Sequence, residues 1–410
     1  GDLYRQFPGQ GNGTHYWSLS WIPTEMRSQT AGDINDDMKM LSWGKRLLAY
    51  LTQAAPQDIA LAETSDDSLF ATIAYLAADE NLGFISVWSP TFGLGLLEQM
   101  SAWRKELAAA LSTGQWAERQ ARMAGLPCPQ SHRAAQLLLH WDGTLNARFF
   151  EQLWPQLAVL SAWDTAAAAP WAQKLKGFLP HANFQGKGLW ATEGVVTFPF
   201  DGRYPLAYLS HFYEFADAND GKIFAPWQLR EGQDVIPIMT TGSGFARYQM
   251  ADVIRVEKPL GQVPCFTFLG RNDGVDLVGE KTSATTAQMV QDQLQLDGAM
   301  PVTLLALDEA RKRSPGYVLL VECAPEAPRE ALQKALAEQV EKALQGNFHY
   351  KLARELGQLQ HAACVALPHM RAIYLDQCRE RGMIEGNIKI EPLRHWRGAV
   401  PAVLRQSLDS

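Results

Sequence analysis

Long apolar runs are missing from these 410 residues, and no charged-then-apolar leader opens them, so no membrane partner is expected and the protein is read as cytoplasmic. Cysteine is sparse. Cys128, Cys265, Cys323, Cys364 and Cys378 are scattered and odd in number, which argues against a disulfide framework. The nine histidines lack any His-x-x-x-His spacing, so a zinc site has no support. Blocks of one charge sign are also absent, and a net charge of −7 spread along the chain gives no hint of a nucleic-acid partner. The chain opens Gly1-Asp2 without an initiator Met, so its natural start is expected upstream. What is present is 47% hydrophobic residues, enough to bury a sizeable core and to form two domains.

Patterning suggests an α/β fold. Leu47 to Ala54 and Leu97 to Leu111 have helical apolar spacing, and Phe84 to Trp88 reads as a buried strand halted by Ser89-Pro90. Leu157 to Ala162 and Gly188 to Ala191 read as further strands, joined by a helical stretch containing Trp171 to Phe178. This alternation predicts a large α/β domain with a largely buried sheet. From Val195 on, closely spaced strands at Tyr204–Leu209, Ile236–Thr240 and Asp252–Val256 predict a β-rich subdomain. The last third reads as a small α+β domain. Strands Val302–Leu307 and Tyr317–Glu322 flank a charged turn at Arg311–Gly316, and a helix runs from about Pro328 to Leu344. The boundary is placed to give domains at 1–273 and 274–410.

Three separated motifs carry the chemistry. They are Gly186-Lys-Gly-Leu-Trp-Ala-Thr-Glu-Gly194, Ala246-Arg-Tyr-Gln-Met-Ala-Asp252 and Leu269-Gly-Arg-Asn-Asp273, followed by Val278-Gly-Glu-Lys281. In the first, a hydroxyl beside a carboxylate at a strand end suits a phosphate oxygen and a metal; the plainer reading is a strand-to-turn junction with a solvated Glu. In the second, the Asp252 carboxylate can accept hydrogen bonds from both vicinal hydroxyls of a ribose. Tyr248 and Arg247 read as packing and pairing residues. Near the end, Gly386-Asn-Ile-Lys-Ile-Glu-Pro-Leu393 holds a Lys between a Gly and a Pro.

In order and spacing these motifs, with Gln185-Gly-Lys-Gly188 and Leu209-Ser-His-Phe-Tyr-Glu-Phe215, resemble the Gretchen Hagen family of acyl acid–amido synthetases. The resemblance is good from Leu153 to Leu393 and diffuse before about residue 80. It implies ATP- and Mg-dependent activation of a small carboxylic acid as an acyl-adenylate, then acyl transfer to an amine, amino-acid-like acceptor. By resemblance, Thr192 contacts phosphate, Glu193 binds magnesium, and Arg271 reaches ribose or phosphate. Asp273 is then the hinge of a mobile C-terminal domain, and Lys389 on that domain supplies positive charge between carboxylate and α-phosphate. The chain departs from the family's Tyr-Arg-x-Gly-Asp by having Gln249 and Ala251. The family's Ser/Thr- and Gly-rich phosphate loop also has no counterpart, since the cluster Gly9-Gln-Gly-Asn-Gly-Thr14 lacks a following Lys and an obvious flanking strand and helix, and reads as a loop. Two readings stay open: a piece of a longer enzyme, or a non-catalytic nucleotide- or acyl-acid-binding relative that has lost ATP turnover. Two further clusters have plain readings: His140-Trp-Asp-Gly143 as a helix-to-loop junction, and Trp88, Pro90 and Phe92 as aromatic core as readily as an acyl pocket.

Overall fold

A computed structural model of the chain describes residues 13–18, 21, 52–271, 274–278, 280–308, 315–381, 383, 388–397, 400–402 and 404–405. These fall into two compact units, one within 1–164, 171–187 and 382–388, the other within 165–170, 188–381 and 389–410. The expected boundary at 273/274 lies inside the second unit.

The first unit runs β1 (Thr14–Trp17), α1 (Ser65–Ala78), β2 (Leu82–Ser86), α2 (Pro90–Ala102), α3 (Arg104–Thr113), α4 (His132–His140), α5 (Ala147–Leu153), β3 (Val159–Ala162), most of α6 (Ala169–Phe178), and β4 (Asn183–Gly186). The four strands pair in sequence order, all parallel. Every residue of β2 and β3 is buried, which is why they read as continuous apolar runs rather than alternating ones. Ser89-Pro90 ends the β2 run and also starts α2, with Pro at the first helical position and the Ser89 hydroxyl accepting from the Thr91 N–H. Thr64 caps α1, and Asp67 in its first turn is buried against Arg119 at 2.9 Å and Arg122 at 2.8 Å.

Two expectations need correcting here. The helix expected over Leu97–Leu111 is two helices, because Trp103 (φ −94°, ψ 10°) leaves the helical conformation and caps both. Leu97 and Met100 pack from α2, Leu107 and Leu111 from α3; apolar spacing marks the buried side without revealing a backbone break. The Gly9–Thr14 cluster does have a flanking strand, since Thr14 opens β1; its residues 9–12 lie outside the described residues. Of the helix expected at Leu47–Ala54, residues 47–51 also lie outside, and Gln53 bridges to His15.

The second unit begins with a hairpin of β5 (Trp190–Ala191) and β6 (Gly194–Val195). An antiparallel sheet follows, from β7 (Phe212–Asp217), β8 (Ile223–Phe224), β9 (Asp234–Thr240), β10 (Tyr248–Gln249), β11 (Asp252–Leu260) and β12 (Val263–Arg271), in the order β12-β11-β9-β7-β8 with β10 on β9. β9 alternates: Val235 and Met239 enter one apolar cluster with Phe215 and Phe266, while Ile236 and Ile238 enter another with Val253. Tyr204–Leu209, expected as a strand, makes only isolated bridges. Its N–H groups go to different neighbours, Leu206 to the Pro264 carbonyl and Ala207 to that of Val196, while Pro205 has none to give, so no ladder can form.

The rest is β13 (Gly274–Val275), β14 (Thr282–Ser283), α7 (Ala284–Asp292), β15 (Met300–Asp308), β16 (Gly316–Glu322), α8 (Arg329–Leu344), α9 (Phe348–Glu355), β17 (Ala363–Leu367), α10 (Met370–Glu380) and β18 (Leu393–Arg397). A mixed sheet β17-β16-β15-β18 packs Leu304, Tyr317, Leu319 and Val321 against Leu336, Val340 and Leu344 of α8. Residues 311–314 of the expected charged turn lie outside the described residues. Two buried carboxylates brace this layer. Glu280 accepts from the Leu277 and Val278 N–H groups and from the Tyr317 hydroxyl at 2.5 Å. Glu341 accepts from Arg354, Gln345, Tyr350 and the Ala362 N–H, all within 2.9 Å. The chain is therefore α/β, with a β-rich subdomain and an α+β C-terminal part, as its pattern predicts.

Candidate active site

The β5–β6 hairpin places Thr192 and Glu193 as its two turn residues, because Ala191 pairs with Gly194 and Trp190 with Val195. Its surroundings hold it closely. The Leu189 N–H donates to the Thr197 hydroxyl at 2.8 Å, the Trp190 indole to the Thr197 carbonyl at 2.9 Å, and the Tyr213 hydroxyl to the Val195 carbonyl at 2.5 Å. A side chain at Gly194 would put Cβ 2.8 Å from Nε2 of His211, so the imidazole packs directly over this glycine and would have to shift to admit one. Thr192 is exposed and Glu193 half-buried, with the Glu193 Oε1 accepting from the Tyr248 hydroxyl at 3.0 Å.

Tyr248 links this turn to the second motif. Its phenol is pushed up first by the hydrogen bond to Glu193 and by that carboxylate's charge, with Asp252 adding to the effect and Arg271 opposing it. Asp252 opens β11 and Arg271 ends β12, and the two are direct cross-strand partners. Antiparallel partners share a sheet face, so a carboxylate and a guanidinium from motifs nineteen residues apart stand together at one end of the ribbon. Glu193, Asp252 and Arg271 are thus gathered around Tyr248.

Arg247, at φ 50°, forms a two-pronged pair with Glu214 at 2.7 and 3.0 Å, in keeping with a pairing role. Ala251 does not occupy the left-handed region, so the family's glycine is not required for this backbone. Lys389 is exposed on the coil entering β18, between buried Ile388 and Ile390. Asp273 lies outside the described residues; Gly270, just before it, has φ 149°. His140 ends α4, and Trp141 after it stacks on Phe149 at 3.8 Å, a helix-to-loop junction as read.

One residue escaped the sequence reading. Lys187, just beyond β4, donates to Ser86 Oγ at 2.8 Å and lies 5.0 Å from the Trp88 ring. Burial holds its ammonium down to about 8. Lys187 was visible within Gln185-Gly-Lys-Gly188, but a single Lys ordinarily lies on the surface and only the packed structure reveals otherwise.

Three family models match the chain in order: GH3 family N-terminal domain over residues 3–184, GH3 family central domain over 204–271, and GH3 family C-terminal domain over 285–397. The chain belongs to the GH3 family, the Gretchen Hagen family its motifs resemble. Its fold is similar to that of the GH3.15 acyl acid amido synthetase, with TM-score 0.74 at 16% identity over 99% of this chain and 76% of that one. It is similar also to the AtGH3.15 acyl acid amido synthetase in complex with 2,4-DB, with TM-score 0.75 at 15% identity over 99% and 75% of the two chains. No curated protein sequence matches significantly. Among the described residues no helix is long and apolar enough to cross a membrane.

Proposed function

We propose that this protein activates a small carboxylic acid with ATP as an acyl-adenylate and transfers the acyl group to an amine, amino-acid-like acceptor. The observation that carries the reading is the cross-strand pair Asp252–Arg271 beside the Glu193–Tyr248 hydrogen bond, in a chain of the GH3 family. The similar folds named acyl acid amido synthetases support it. In the first half-reaction a carboxylate oxygen bonds to the α-phosphorus while its bond to the bridging oxygen breaks and pyrophosphate leaves. Asp252 accepts hydrogen bonds from the ribose hydroxyls, Arg271 faces the same end of the nucleotide, and Thr192 donates to an α-phosphate oxygen. In the second, the amine attacks the acyl carbon and AMP departs.

Magnesium would be held by Glu193, where it neutralises charge on the phosphate oxygens. The donor set fits that role: one Glu193 oxygen takes the Tyr248 hydroxyl, and the other has no partner among the described residues. Mg2+ binds through one or two carboxylates plus phosphate and water, so it does not need a three-acid cluster, and among the described residues there is none. Lys389 supplies charge during adenylation from a small domain, 274–410, that turns about Asp273 between the half-reactions.

Carboxylate-dependent exchange of labelled pyrophosphate into ATP tests the reading. Asp252→Ala should lose about 1.5 to 3 kcal/mol of AMP affinity by calorimetry. Glu193→Gln should depress exchange far more than AMP binding, because AMP lacks the leaving pyrophosphate. A wild-type protein that binds AMP yet shows no exchange with any acid is a binding module, and the ligase reading then fails.

A further inference from the structure

We propose that Arg247 and Glu214 are positioning residues for the Glu193 turn, their ion pair acting as a latch on the back of the β7–β9–β10 ribbon that aims Tyr248 at Glu193 on its front. On the front, Tyr213, Met239 and Tyr248 are register partners on the three strands and therefore share one face. The β5–β6 hairpin rests on that row. The Tyr213 hydroxyl donates to the Val195 carbonyl at 2.5 Å, a Cβ at Gly194 would lie 3.5 Å from the Met239 methyl carbon, and the Tyr248 hydroxyl donates to Glu193 at 3.0 Å. Only the last of these three contacts reaches a candidate site side chain.

Tyr213 and Met239 stand on strands of six and seven residues, whereas β10 has two, both exposed. So short a ladder does not hold a side chain in one direction, and burial does not hold it either. The restraint lies on the opposite face. The Arg247 N–H donates to the Thr240 hydroxyl at 3.0 Å, and its guanidinium crosses β9 to reach both Glu214 oxygens at 2.7 and 3.0 Å. The residue before Tyr248 is thus tied to β9 by its backbone and to β7 by its side chain. A two-pronged guanidinium–carboxylate bond fixes direction as well as distance. Arg247 also has φ 50°, a left-handed conformation that a residue with a side chain keeps only where its surroundings impose it. Phe245 packs on the Tyr248 ring with centroids 5.0 Å apart and closes the remaining side. With Arg247 63% exposed, the pair adds little to folding, so its effect falls on the direction of Tyr248. The catalytic consequence rests on the ligase reading; the aiming of Tyr248 does not.

NMR titration of the whole chain carrying 13C-labelled tyrosine tests it, with the Tyr248 resonance assigned by Tyr248→Phe and pyrophosphate exchange as a second arm. In the wild type the bond to Glu193 holds the Tyr248 phenol above its ordinary value. Glu214→Gln and Arg247→Gln should each bring it back toward that value and lower the exchange kcat about ten- to a hundredfold, with little change in urea unfolding. Arg247→Lys should retain part of both properties, because a single ammonium keeps the charge and loses the fork. Arg247→Gly admits the left-handed backbone without the pair and should behave as Arg247→Gln does. A Tyr248 titration unmoved in both glutamine variants overturns the proposal, and so does a wild-type titration in Arg247→Gly, which would show that the backbone alone aims the ring. A titration that moves as expected in a protein without exchange activity keeps the latch and removes the ligase reading.

Discussion

Around Glu341, in the C-terminal layer, four donors converge on one buried carboxylate; around Lys187, at the end of the parallel sheet, an ammonium has, among the described residues, a single hydroxyl acceptor and the face of a ring. The titration directions record the difference. Burial alone would raise the Glu341 carboxyl, but Arg354, the Ala362 N–H, Gln345 and Tyr350 hold it down to about 2. For Lys187 burial acts unopposed and destabilises the charged form. A buried charge whose bonding capacity is met by its own fold braces that fold. One left short of partners weakens the fold.

The largest effect that sharpens this comparison is at Glu341. Glu341→Leu strands the Arg354 guanidinium and the Tyr350 hydroxyl, and should cost about 3–5 kcal/mol in urea unfolding. Because the folded carboxyl titrates below its ordinary value of 4.5, the stabilisation is full above that pH and is lost as pH falls through about 2. The variant should flatten that acid limb. A loss under about 1 kcal/mol would break the comparison, since it would make the satisfied network dispensable.

Lys187→Met should act in the opposite direction, raising stability at pH 7 by roughly 1–3 kcal/mol. The sign follows from a folded-state value near 8, below the ordinary 10.5. Below pH 8 the folded state must hold a charge it disfavours, so the cost is fully present there. It fades as pH rises from 8 to 10.5, and the variant's advantage should fade with it. Thermal melts across that range measure this, and a destabilised variant would place Lys187 with Glu341 as a brace. The smallest effect belongs to an exposed pair of equally good geometry. Arg247 is 63% exposed in its bond to Glu214, so Glu214→Gln should cost no more than about 1 kcal/mol and less at high salt. A larger loss would show that geometry counts for more than burial.

Much of the layout was legible in the residues because it rests on local rules. The buried strand ending at Ser89-Pro90, the helix up to Leu344 and the two strands around residue 311 follow from apolar run length, Pro and turn chemistry. Where the reading failed, the deciding bonds were between distant segments. Tyr204–Leu209 has strand-like composition, but its N–H groups answer to Pro264 and Val196, fifty-eight and eleven residues away from their donors. Trp103 keeps the apolar spacing of its helix and still breaks it, its ring packing on Phe70 at 5.6 Å.

The same division runs through the candidate site. Sequence alone determined the family and the α/β class, and it is the source of the proposal that Thr192, Glu193, Asp252 and Arg271 form the site, because a hydroxyl, carboxylates and a guanidinium in a set order can be read whatever their distance in space. Only the tertiary structure decided that Asp252 faces Arg271 across a strand pair, that Glu193 is tied to them through Tyr248, and that Lys187 is half-buried beside Ser86. Register and burial are properties of which segments meet. The free energy of a charge depends on the neighbours that replace its water, and those neighbours come from strands up to about a hundred residues apart.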